Sequence, residues 1–96
     1  MDYEWNQTKA AANLAKHGVS FTAAALALED FNRMDMIDDR CDYGEERLQS
    51  LCLALSGAIL FVVTTLRSET VCRIISARRA TQHEQRQYFE DGALFP

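Results

Sequence analysis

The stretch Ala58–Leu66 constrains this chain more than any other. Ile59, Leu60, Phe61, Val62 and Val63 follow one another without a polar break. An apolar run of this kind, rich in β-branched residues, suits a strand buried on both faces. Ser56–Gly57 before it and Ser68–Glu69 after it are turn signals. They predict hairpins to Glu46–Leu55 upstream and to Thr70–Ala77 downstream. In the downstream strand, Val71, Arg73 and Ile75 should share one face, and Cys72, Ile74 and Ser76 the other. Arg33–Ile37 reads as a weaker strand, Asp38–Gly44 as a polar turn region, and Tyr3–Trp5 as a short strand or an anchored lead-in. Consecutive strands with short turns pair mainly antiparallel.

The covering layer comes from helices. Asn6 is an N-cap for a helix from Gln7 to His17, and Gly18 occupies the C-cap position after the basic pair Lys16–His17. Ala10, Ala11, Leu14 and Ala12 are the expected packing side. Ser20 caps a second helix, Phe21–Leu28, with Phe21, Ala24, Ala25 and Leu28 at helical spacing. Near the end, Thr81 and Glu84 form a capping box. A third helix should run from Gln82 to about Asp91, with Gly92 able to stop it. The sole proline, Pro96, interrupts nothing. The expected fold is α+β: two N-terminal helices on one face of a small, mainly antiparallel sheet, with a C-terminal helix. A length of 96 residues predicts a single domain, 1–96.

Composition removes several function classes. No apolar run approaches the length of a membrane span, and no charged start precedes an apolar stretch as in a signal peptide, so a cytoplasmic protein without a membrane partner is expected. Cys41, Cys52 and Cys72 are odd in number and widely spaced, which argues against a disulfide framework. Cys52 and Cys72 read as small buried hydrophobes. His17 and His83 lack companion ligands at usable spacing, so no metal and no other cofactor is expected. The net charge of −4 weighs against a nucleic-acid binder. Its distribution offsets this. Glu29 to Glu46 holds eight acidic residues against Arg33 and Arg40, whereas Arg67 to Glu90 holds five arginines against three acids. A phosphate responds to the local field.

No phosphate-binding loop, dinucleotide turn or nucleophile elbow is present. What remains is a supply of arginines at strand ends: Arg47, Arg67, Arg73, Arg78 and Arg79. An arginine there can hold a phosphate by two parallel hydrogen bonds. Taken one at a time, each is more simply a solvated charge or a carboxylate's partner. Lys16–His17 is a basic helix end. His17 is either a general acid or base, or only part of the C-terminal cap. Trp5 is either a base-stacking ring or, more simply, a core anchor. Tyr88 belongs to the core or brings its hydroxyl near the arginines.

Taken together, these residues fall into a series. Glu4-Trp5, Lys9-Ala10, Asn13 and Lys16-His17-Gly18-Val19-Ser20-Phe21 resemble the N-terminal signature of the BrnT toxin family. Gly44-Glu45-Glu46-Arg47 is similar to its central segment. Arg73-Ile74-Ile75-Ser76-Ala77-Arg78-Arg79-Ala80, followed by Glu84, Arg86 and Tyr88, resembles its C-terminal block. The resemblance implies a RelE-like fold and a metal-free endoribonuclease toxin that stops translation. It also implies a BrnA-like ribbon–helix–helix antitoxin as partner, with operator DNA reached only through that antitoxin.

Carried over residue by residue, the resemblance makes Arg47 and Arg78 phosphate-binding or transition-state groups. They are expected at strand ends from which they can converge on one phosphate, with Arg78 at a strand-to-helix junction. Lys16 and His17 are further participants. Glu46 is either a base or a group that orients Arg47. Arg67, Arg73 and Arg79 are substrate contacts. The central strand departs from the family pattern. Thr64 and Leu66 stand where members carry an aromatic hydroxyl and an acid. That departure leaves a second reading open: a catalytically weakened binding module, kept for antitoxin complex formation and autoregulation.

Overall fold

A computed structural model of the chain describes residues 1–40, 42 and 44–92, so Cys41 and Pro96 lie outside the described residues. The apolar run forms the middle of the sheet. Asp2–Glu4 is β1, Met34–Ile37 is β2, Leu48–Leu53 is β3, Ile59–Leu66 is β4 and Val71–Arg79 is β5. They assemble in the order β1-β5-β4-β3-β2. β2, β3, β4 and β5 pair antiparallel, and β1 pairs parallel with the first residues of β5. Every β4 residue from Ile59 to Thr65 is buried, as a strand with neighbours on both edges and layers on both faces must be.

The helices form where the local signals place them. Gln7–His17 is α1, and the Asn6 side chain accepts the Lys9 N–H. Gly18 closes α1 at φ +70°, in the left-handed region that favours glycine. Phe21–Ala27 is α2, capped by Ser20. Gln82–Gln87 is α3, and it is shorter than expected: the chain continues through Tyr88–Gly92 as a wider π turn.

Each sheet face carries its own core. On one face, Phe21, Ala24 and Ala27 of α2 and Leu28 just after it pack on Cys52, Leu60, Val62, Ile74 and Ala77, with Trp5 edge-on to Phe21. Trp5 is thus a core anchor. On the other face, Tyr88 and Ala80 pack on Leu51, Ile59, Phe61 and Val63. The Tyr88 hydroxyl reaches Asp30, not the arginines. Burial and the nearby Asp30 carboxylate push that phenol up. Burial pushes the Cys52 thiol up to about 12, in keeping with an unreactive core residue.

Four further expectations need correction. Leu14 is half exposed, and Ala11 and Ala12 are exposed too. α1 does not lay a broad apolar side on the sheet. The upstream strand is shorter than predicted and begins at Leu48, so Glu46 and Arg47 precede it. The alternation of β5 breaks. Val63 stands opposite Ser76 and Thr64 opposite Ile74, which leaves Ile75 as the extra residue of a bulge. Ser76 therefore moves to the face of Phe61 and Arg78. The strand also runs on through Arg79, so Arg78 lies within β5 and not in a following junction.

The charge asymmetry of the sequence becomes a gradient across the sheet. The acidic segment surrounds β2 at one edge, and the basic block forms β5 near the other. No helix among the described residues is long and apolar enough to cross a membrane.

Candidate functional site

β1 covers β5 only from Val71 to Arg73. Beyond that point the outer edge of β5 has no strand beside it, and its backbone groups need other partners. Asn13 of α1 supplies them. Its buried side-chain amide accepts from the Ala77 N–H and donates to the Ala77 carbonyl, as a neighbouring strand would. It also donates to the Val19 carbonyl. α1 is thus a helix pinned along a strand edge by one amide, and Leu14 stays half exposed in a depression beside Trp5, Ala10 and Phe21. Lys9, Lys16 and His17 line a shallow open depression together with Ile75 and Ser76 at the bulge.

Two residues along the same side of β5, about 7 Å further on, stands Arg78. Its guanidinium lies 4.0 Å from the centre of the Phe61 ring. Its Nη1 and Nη2 donate to the two oxygens of Glu84 at 2.8 and 3.0 Å, and Nη1 also donates to the Arg79 carbonyl. Glu84 in turn closes the capping box of α3 by accepting the Thr81 N–H. The Arg78 guanidinium beside it holds the Glu84 carboxyl below the usual carboxylate range. These contacts occupy the outer fork of Arg78. The side edge, Nε–H with the second Nη2 hydrogen, has no partner among the described residues and is the one left to meet a ligand. Ring, carboxylate and carbonyl together fix the plane of the guanidinium before any ligand arrives.

The expected site residues divide into groups. Lys16, His17 and Arg78 lie along one stretch of β5. Arg73 lies further back on the strand, 3.2 Å from Glu4. Arg79 is exposed, and the pleat turns it to the opposite face from Arg78. Glu46 and Arg67 line a separate depression with Glu45, Leu48, Thr65 and Leu66. Arg47 contacts Glu45 at 3.1 Å.

The expected convergence of Arg47 and Arg78 on one phosphate is not what the register gives. Arg78 is opposite Phe61, whereas Arg47 precedes Leu48, which is opposite Thr64. They share a face of the sheet. However, two strand spacings and about four residues of rise separate their backbones by roughly 16 Å.

Thr64 is buried on the α2 side of the sheet, where its partner Ile74 packs, and Leu66 lines the Glu46–Arg67 depression. Neither departure from the family pattern touches the Arg78 cluster. Glu84, Asn13, Lys9 and Ser76 were not among the expected site residues. The T-x-x-E spacing marked Glu84 as a cap, and the family resemblance included it without giving it a role. Among the described residues no group of three or more His, Cys, Asp or Glu is arranged to hold a metal ion.

Comparison with known proteins adds three findings. Residues 5–84 match the family described as the ribonuclease toxin BrnT of type II toxin–antitoxin systems. The fold matches the crystal structure of the Brucella abortus ribonuclease toxin BrnT with a TM-score of 0.66 and 24% identity, covering 85% of this chain and 99% of that one. No curated protein matches the sequence significantly.

Proposed function

Because this chain belongs to the BrnT family of ribonuclease toxins of type II toxin–antitoxin systems, we propose that it is a metal-independent endoribonuclease that inhibits translation, and that a BrnA-like ribbon–helix–helix antitoxin neutralises it and alone links it to operator DNA. The observation that carries the reading is Arg78: a guanidinium fixed on three sides, with one bidentate edge unpartnered among the described residues.

The chemistry follows from that edge. The ribose 2′-oxygen attacks the adjacent phosphorus, the bond from phosphorus to the 5′-oxygen breaks, and a 2′,3′-cyclic phosphate forms. Negative charge builds on the non-bridging oxygens, which the Nε–Nη2 edge of Arg78 stabilises without reorganisation. One proton leaves the 2′-hydroxyl and one joins the departing 5′-oxygen. His17, on the rim beside Ser76, is the group of the cluster suited to carry a proton, and Lys16 adds positive charge next to it. Arg73 and Arg47, on the same sheet face, contact flanking phosphates. Thr64 and Leu66 lie away from Arg78, which favours a working ribonuclease over a purely binding relative.

Induced expression should arrest growth, and co-expression of the antitoxin should restore it. Purified protein should cleave RNA in the presence of EDTA. In the complex, hydrogen exchange should slow at Arg73–Arg79. Cleavage lost with chelator, or protection confined to the acidic segment around β2, would count against this reading.

A further inference from the structure

The single buried amide that pins α1 also fixes which way that helix faces. Lys9, Asn13 and Lys16 fall on one side of α1, at i, i+4 and i+7. Asn13 is tied to both backbone groups of Ala77. Lys9 and Lys16 are therefore held about one turn to either side of that tie, along the open edge of β5. Both are exposed, and neither has an ion-pair partner among the described residues. α1 contains no acidic residue, in a chain whose net charge is −4. Unlike Arg33, Arg73 and Arg78, these cations are not neutralised by any of the described residues.

The spacing decides what ligand such a pair takes. Seven residues of helix separate the two lysines by about 10 Å along the axis. Side chains held at that spacing suit a chain of phosphates running along the helix. We propose that Lys9 and Lys16, set astride the Asn13–Ala77 tie, form a track that holds successive phosphates of a single-stranded RNA and leads it past Ser76 to Arg78. The proposal rests on the ribonuclease reading for the direction in which the track leads. The track itself is a matter of charge and spacing.

The experiment uses the full chain and a fluorescent 2′-deoxy oligonucleotide about 12 nucleotides long, which lacks the nucleophile and is not cleaved. Affinity is measured by anisotropy over a salt series, and cleavage is followed with the ribonucleotide counterpart. Each phosphate contact contributes about −0.7 to the slope of log affinity against log salt for single strands. Lys9→Gln should make the slope shallower by about 0.7, and Lys9→Gln with Lys16→Gln by about 1.4. Arg33→Gln, on the far edge of the sheet, should leave it as in the parent. Circular dichroism should show unchanged helix content, since an exposed lysine contributes little to stability.

A parent that binds with this slope behaviour but does not cleave the ribonucleotide refutes the ribonuclease reading and leaves the track standing. A parent that cleaves, and whose slope is unchanged by Lys9→Gln, refutes the track alone. A slope unchanged by Lys9→Gln together with weakened antitoxin binding makes the depression a protein contact and also overturns the track. A parent that neither binds nor cleaves refutes both.

Discussion

Replacing Asn13 with alanine should destabilise this protein more than its size suggests. The side chain makes three hydrogen bonds of 2.8 to 3.2 Å, all to backbone groups, and it is almost fully buried. Alanine removes all three at about 1 kcal/mol each, and it leaves the Ala77 N–H and two carbonyls in a place where no strand can replace the amide. The desolvation of the orphaned N–H adds about another 1 kcal/mol, for a total of roughly 4 kcal/mol. In a domain of this length that lowers the melting temperature by roughly 15–30 °C. The assay is thermal unfolding by circular dichroism, paired with hydrogen exchange at the Ala77 amide in the native state. Exchange there should accelerate even under conditions in which the rest of β5 stays protected. If Asn13→Ala melts within about 3 °C of the parent and the Ala77 amide remains slow, the edge of β5 is satisfied by some other group, and the fixed orientation of α1 is lost as an argument.

Two further outcomes follow from buried polar contacts elsewhere. Tyr88→Phe keeps the ring between Leu51 and Phe61 but loses the hydroxyl's bond to the Asp30 carboxylate. It should cost about 2 kcal/mol in urea unfolding, and a loss under about 0.5 would show that the bond is not net stabilising. The Arg40 guanidinium holds the buried Asp38 carboxyl down at about 2, against burial that opposes it. A folded-state value below the unfolded one means that this stability is present above about pH 4 and drains away as pH falls toward 2. Melting temperatures at pH 6 and pH 3 should differ less in Asp38→Asn than in the parent, and an equal difference would remove Asp38 from the acid response.

The parts of this fold that local rules govern were legible in advance. Asn6, Gly18, Ser20 and Thr81 act within one turn of themselves, and each caps the helix its spacing indicates. The run from Ile59 to Val63 suited a strand buried on both faces, and the turns around it set the antiparallel order of its neighbours. Contacts between distant parts of the chain were not legible. Asn13 stood in the family-like series, but nothing in the sequence marked it as a tie to β5, and the alanines and Leu14 of its helix were the expected packing side. Its role depends on β1 ending at Glu4, which leaves Ala77, 64 residues beyond Asn13, without a neighbouring strand. Strict alternation put Ser76 on the wrong face because the bulge at Ile75 arises from pairing with β4, not from the β5 sequence.

The site shows the same division. Composition identified the arginines, but not which ones the fold keeps engaged with acids. Glu84 was read as half of a capping box, whereas it also fixes Arg78. Arg47 and Arg78 looked equivalent as strand-end arginines until the register set them roughly 16 Å apart.

The most direct test of the central claim is single-turnover cleavage of an oligoribonucleotide in EDTA by the parent, Arg78→Lys and Arg78→Ala, with thermal melts of the same samples. The parent should give a 2′,3′-cyclic phosphate and should not cleave a substrate lacking the 2′-hydroxyl at the scissile position. Arg78→Ala should slow the step by about 10²–10³, the usual effect of removing a preorganised transition-state donor. Arg78→Lys should recover only part of the rate, because an ammonium cannot present two parallel donors. Loss of the partly exposed Glu84 pair should cost no more than about 1 kcal/mol, so all three proteins should be folded during the assay. A folded Arg78→Ala that cleaves at the parental rate would contradict the account.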